Sequence, residues 1–167
     1  RSGEAIKEAH DNINKYLKNG KELAKPLQYY LSCIMWDNCG VLKDKNSLNK
    51  GLSKLQEVKD SIKDVDVRID SHNCDDLIQI FNLEASILSA QATLLSALNR
   101  KESRGAHQRS DYKELNKSEN CNYHIKLDLN NSELIVARKD IPNLRSDLND
   151  IVNQTKIVVN FKDKLIE

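Results

Sequence analysis

Apolar positions recur every third or fourth residue along most of the chain, then switch to strict alternation towards its end. From Gly3 to Asn19 the side chains Ala5, Ile6, Ala9, Ile13, Tyr16 and Leu17 fall at helical spacing, and Asn19-Gly20 supplies residues that tolerate the left-handed conformation ending a helix. Pro26 then opens a second helix, with Leu27, Tyr30, Leu31, Ile34 and Met35 along one side, Trp36 at its end and Gly40 closing it. A third helix starts near Asn46-Ser47, both good N-caps, and carries Leu48, Leu52, Leu55, Val58, Ile62 and Val65. Lys50, Lys54, Glu57, Lys59, Asp60 and Lys63 lie between them as a solvated face. The apolar run is too short for a sustained heptad pattern, so this reads as a bundle helix rather than a coiled coil.

The fourth segment, Asp75 to Lys101, is apolar or small around nearly its whole circumference from Phe81 onward, with Leu83, Ile87, Leu88, Leu94, Leu95 and Leu98 joined by Ala85, Ala90, Ala92 and Ala97. Such a helix, about 40 Å long at 1.5 Å per residue, belongs at the centre of a bundle, with Leu88 among its core side chains. After Lys101 the pattern collapses into a polar stretch. Tyr123, Ile125, Leu127 and Leu129 then alternate with polar residues, Asn130-Asn131 offers a tight turn, and Leu134 and Val136 resume the alternation: a β-hairpin. Beyond it lie a short helical pattern (Leu144, Leu148, Ile151, Val152) and a run, residues 156–161, that suits a strand or a helix equally.

The expected fold is mainly α: a three- to four-helix bundle of spectrin-repeat-like up-down helices, followed by a small β-hairpin and a C-terminal tail. The divisions fall at residues 1–20, 21–122 and 123–167. The first is either the terminal helix of a domain lying upstream or the first helix of the bundle.

Charge and composition narrow the partners. With 31% charged residues and a net charge of +1, the chain has no general attraction for nucleic acid or anionic lipid. No apolar run approaches membrane-spanning length, so a direct span is not expected. Cys33, Cys39, Cys74 and Cys121 are scattered and read as reduced thiols of a cytoplasmic compartment. The start, Arg1-Ser2-Gly3, has no apolar signal segment or Arg-rich leader, and suits a piece of a longer protein as well as a processed chain.

Chemistry concentrates in the polar stretch, where Glu102, Arg104, His107, Arg109 and Asp111 crowd together. One reading makes His107 a general base oriented by Glu102 or Asp111. The preferred reading is a salt-bridged hub of Glu102, Ser103, Arg104, Gly105, His107, Arg109 and Asp111, because charge clusters often serve structural networks. In that hub Arg104, buried or half-buried, holds a carboxylate or a carbonyl through its planar fork, and Gly105 turns the chain with positive φ. No catalytic, cofactor-binding or metal-binding residue is assigned. His72-Asn73-Cys74 and Cys121-Asn122-Tyr123-His124 contain zinc-ligand types without zinc-site spacing. Trp36, Tyr29 and Tyr30 suit core packing better than base stacking.

The string Arg100-Lys101-Glu102-Ser103-Arg104-Gly105-Ala106-His107-Gln108-Arg109-Ser110-Asp111-Tyr112 resembles the R-x-E-S-R-G-A-H-x-R-x-D-[YF]-P motif of succinate dehydrogenase and fumarate reductase flavoprotein subunits, of which L-aspartate oxidase carries a close relative. It follows a long Ala/Leu-rich helix, as in that family. Residues 31–40 resemble the family's L-R-x-I-M-W-[ED]-N-x-G segment, and Ser2 to Tyr16 resembles the helix that ends its flavin-binding domain. The sequence departs from the motif at Lys113, where the family has Pro, and at residues 115–120.

The resemblance implies a C-terminal structural domain of an FAD-dependent oxidoreductase interconverting succinate and fumarate, not catalytic alone. It implies no cofactor in this chain and FAD in the parent protein, since no G-x-G-x-x-G occurs here. The implied partners are the flavin-binding domain of the same polypeptide and, in complexes that have one, an iron–sulfur subunit, which would place the chain peripheral to a membrane. Alternatives are a stand-alone helical interaction module or the same domain of an L-aspartate oxidase.

Overall fold

The computed structural model describes residues 2–17, 19–69 and 74–154. Three helices make the body: α2 (Ala24–Cys39), α3 (Lys45–Ser61) and α4 (Asp75–Asn99), with α1 (Ser2–Asn14) before them and α5 (Ser146–Gln154) after. α2, α3 and α4 each pack on the other two. The two-residue strands β1 (Leu42–Lys43) and β2 (Gln108–Arg109) pair in parallel, and β3 (Cys121–Asp128) pairs with β4 (Glu133–Asp140) as an antiparallel hairpin.

Two small backbone links set the helix directions. A parallel bridge joins Glu22, just before α2, to Val65, just after α3, so α2 begins where α3 ends. Lys43, after α2, pairs with Arg109, after α4, so those two helices finish at the same end. The result is the up-down-up bundle anticipated from periodicity. Its core is Leu27, Leu31 and Ile34 of α2, Leu48, Leu55 and Val58 of α3, and Ile80, Leu83, Ile87 and Leu94 of α4.

Several local expectations are corrected. The N-cap of α3 is Asp44, not Asn46 or Ser47: its carboxylate accepts from Ser47 N (2.8 Å) while Ser47 Oγ accepts from Asp44 N (3.0 Å), a capping box that satisfies two orphan groups. Gly20 does not adopt a left-handed φ; that conformation occurs at Gly105 and Ser132. Gly20 instead allows close approach, since a Cβ there would lie 2.0 Å from Asp64 O. The first helix stops at Asn14, and its residues Ala5, Ile6 and Ala9 stay exposed. Tyr16 alone reaches the bundle strongly: its ring meets Phe81 edge-on at 5.1 Å and its hydroxyl donates to Glu84 Oε2 at 2.8 Å. Burial and that carboxylate push the phenol up to about 12.

The fourth helix, apolar or small around much of its circumference, is buried on only one side. Ile80, Leu83, Ile87, Ala90, Leu94 and Ala97 are inside, whereas Phe81 and Leu88 (39%) are exposed, so Leu88 is not a core residue. Core packing fails likewise for the aromatics of α2: Tyr29, Tyr30 and Trp36 (81%) face outward.

The hairpin keeps its predicted register, with Ile125 opposite Val136 and Leu127 opposite Leu134. Its loop spans residues 129–132 rather than the Asn130-Asn131 pair alone, closed by Ser132 N donating to Asp128 O at 2.8 Å. In α5, Leu148 and Ile151 are exposed. The run 156–161 lies outside the described residues, as do His72 and Asn73.

Candidate interdomain hub

The segment after α4 folds back on the helix end around two carboxylates, Glu102 paired with Arg100 and Arg104, and Asp111 paired with Arg109. Glu102 is wholly buried, and each of its oxygens has partners. Oε1 accepts from Arg104 Nε (2.7 Å) and Arg100 Nη1 (2.8 Å), and Oε2 accepts from Arg104 Nη2 (3.1 Å) and Asn116 N (3.0 Å). The Arg104 bonds first, then Asn116 N and Arg100, outweigh the cost of burial and hold this carboxyl down at about 2.

Arg109 is the buried guanidinium of the hub. Its fork grips Asp111 at 2.7 Å on both sides, and Nη1 donates to Ala97 O at 2.7 Å in the last turn of α4. That turn has unsatisfied carbonyls carrying partial negative charge, so a cation there is doubly favoured. Asp111 is held at about 2, chiefly by Arg109. Arg104, expected buried or half-buried, is instead exposed beyond its contact with Glu102. Two arginines exchange roles relative to expectation because both forks match a carboxylate, and only packing decides which one is covered.

The turn between them follows from one glycine. Arg104 N donates to His107 O (2.8 Å) and His107 N to Arg104 O (3.0 Å), with Gly105 at φ +56° as the first central residue of a two-residue turn. Ser103 is buried beneath it: its Oγ accepts from Arg109 N at 2.9 Å and donates to Tyr112 O at 2.8 Å. The hub residues Glu102, Ser103, Arg104, Gly105, His107, Arg109 and Asp111 are thus brought together.

His107 is half-buried, and its Nε2 lies 3.4 Å from Arg100 O. Burial lowers its pKa, and the positive charges of Lys43, Arg109 and Arg100 add to that. Neither Glu102 nor Asp111 orients the imidazole, because the arginines occupy both carboxylates. The general-base arrangement weighed from the sequence is therefore not formed.

Two participants escaped sequence reasoning. Arg100, which the sequence shows only as the start of the motif, donates to Cys121 O (2.7 Å) and Glu119 O (3.1 Å) and so anchors the hairpin. Lys43, buried beside Arg109, lies in a strand too short to carry a periodic signal.

The residues present do not fit a dinucleotide. The described strands form a two-residue parallel pair and a hairpin, with no strand leading through a glycine-rich turn into a helix N-terminus. Among the described residues no group of three His, Cys, Asp or Glu side chains is placed to hold a metal ion.

Residues 28–149, from the first turns of α2 to α5, match the family model of the fumarate reductase flavoprotein C-terminus. The chain belongs to this family. An FAD-dependent oxidoreductase of Methanocaldococcus jannaschii, itself uncharacterized, is 32% identical over 124 residues, 71% of this chain and 22% of that protein. The fumarate reductase flavoprotein subunit of Haemophilus influenzae is 34% identical over 98 residues, covering 58% and 16% respectively. The L-aspartate oxidase of Pyrococcus horikoshii is 37% identical over 79 residues, covering 47% and 12%. The chain therefore spans about a fifth of the length of such relatives.

The fold itself recurs in the apo Sdh1 complex of Mycobacterium smegmatis, with TM-score 0.76 and 21% identity over 87% of this chain and 26% of that one. Among its described residues the chain contains no helix long and apolar enough to cross a membrane.

Proposed function

We propose that this domain is the structural and docking module of an FAD-dependent oxidoreductase that interconverts succinate and fumarate, and that it is not catalytic alone. The observation that carries the reading is the uncovered face formed by α2 and α4. There the exposed Trp36 borders a groove lined by Leu31, Met35, Ala85 and Ala90, and Tyr29 of α2 and Phe81 and Leu88 of α4 are exposed on the same two helices. A patch of large apolar side chains on one side of a small bundle is a mark of an interaction surface. The hub supports the same reading: its carboxylates Glu102 and Asp111 and the buried Arg109 are paired, so it braces the domain rather than moving protons.

The partner on that face is the flavin-binding domain of the same polypeptide, and an iron–sulfur subunit is a second neighbour, making the assembly peripheral to a membrane. The same domain in an L-aspartate oxidase is a second reading, favoured by the Pyrococcus identity; fumarate reduction against aspartate oxidation by the full-length protein separates the two.

The test uses Trp36, the single tryptophan. The chain, labelled with fluorotryptophan, is mixed with the separately expressed flavin-containing remainder. Docking moves the fluorine resonance and yields a one-to-one complex, while the chain by itself is colourless and inert towards fumarate and succinate. An unmoved resonance with no complex, or a yellow and active isolated chain, contradicts the proposal.

A further inference from the structure

Lys43 is a buried cation that has no counter-ion among the described residues. Its residue is 7% exposed, and its ammonium donates to one acceptor, Val41 O, at 3.1 Å. Among the described residues no carboxylate lies within ion-pair distance of it. Its neighbours have carboxylate partners: Arg109, directly opposite in the β1–β2 ladder, is paired with Asp111, and Arg100 shares Glu102 with Arg104. Carbonyls at the ends of α2 and α4 lend partial negative charge nearby. Of the three N–H donors of the ammonium, Val41 O takes one. A buried charge in that condition is costly unless something pairs with it.

Lys43 lines an open cavity of about 760 Å³ together with Cys39, Arg100, Ala106, His107 and Ile125. No Asp or Glu is among the lining residues; burial raises the Cys39 thiol, and His107 is driven towards its neutral form. The cavity is also continuous with the apolar α2/α4 groove, since Cys39, Gly40 and Thr93 line both. One covering body would fill the two together.

We propose that a carboxylate side chain of the polypeptide outside residues 1–167 enters this cavity and pairs with Lys43, making Lys43 the electrostatic latch of the docked domain. This rests on the docking reading given above and names the chemistry that recognises the partner. The apolar groove supplies area, and the latch supplies register, because an ion pair out of line leaves both charges buried and unpaired.

The structure of the full-length flavoprotein with its FAD tests this. The expected result is an Asp or Glu oxygen from outside residues 1–167 within 4 Å of Lys43 Nζ, in hydrogen-bonding geometry. If the α2/α4 groove is covered but Nζ faces only water, a backbone carbonyl or a small free anion, the latch is wrong while the docking reading stands. If the groove itself faces solvent in the full-length protein, both fall.

Discussion

Arg109 and Asp111 join the end of one helix to the start of another. Arg109 Nη1 holds the Ala97 carbonyl at the end of α4, its fork holds Asp111, and Asp111 Oδ2 accepts from Lys45 N in the first turn of α3 at 2.9 Å. A cation thus sits at a helix C-terminus and an anion at a helix N-terminus, each where the dipole favours it.

Arg109→Leu removes the buried half of that link and leaves Asp111 and the α4 carbonyls without their donor. The expected cost is about 3–5 kcal/mol, read from urea unfolding of the chain. Arg109→Lys should recover only part of it, because an ammonium cannot form the two-bond fork. A loss for Arg109→Leu no larger than that of the exposed Arg104→Ala would refute the link.

Leu94 and Leu88 lie on the same helix and separate core packing from surface. Leu94→Ala should cost about 2–5 kcal/mol through the cavity it leaves. Leu88→Ala should cost less than about 1 kcal/mol in this chain, since its site is open to water. In the full-length protein Leu88→Ala should instead weaken docking. Equal losses in the chain would mean that the α2/α4 face is not a surface.

Acid should unfold the domain in a defined window. Glu102 and Asp111 are held at about 2 when folded, against ordinary values of 4.5 and 3.8. Because the folded values are lower, the stabilisation is complete above about pH 4.5 and is lost as pH falls towards 2. Thermal melts across this range should drop steeply, and Glu102→Gln should flatten the slope while lowering the melting temperature at neutral pH. An unchanged slope in that variant would remove Glu102 from the account.

Gly20→Ala probes the joint between the first segment and the bundle. The new Cβ would collide with the Asp64 backbone, where Lys21 N and Glu22 N both donate to Asp64 O at 2.9 and 3.0 Å. Because the obstacle is backbone, relief requires moving the Glu22–Val65 bridge, at a cost of about 1–3 kcal/mol by overpacking. A neutral melt for this variant would show that the segment bends without penalty.

Periodicity along the chain carried the three bundle helices, the hairpin and its register, because burying one face of a regular element imposes a repeat of 3.6 or 2. The crowded residues 102–111 marked the hub, since so many charges cannot lie together without pairing, and Gly105 marked its turn. Where composition is uniform the repeat is silent. A helix apolar or small around nearly its whole circumference, like α4, does not say which side is covered, so its spacing suits Leu88 and Phe81 inside while this fold leaves them out, as it does Trp36 of α2. Nor could spacing choose between Arg104 and Arg109 as the buried arginine, or find Lys43. Those choices depend on which surfaces the packed helices bring within a few ångströms, and that is a property of three-dimensional contact rather than of order along the chain.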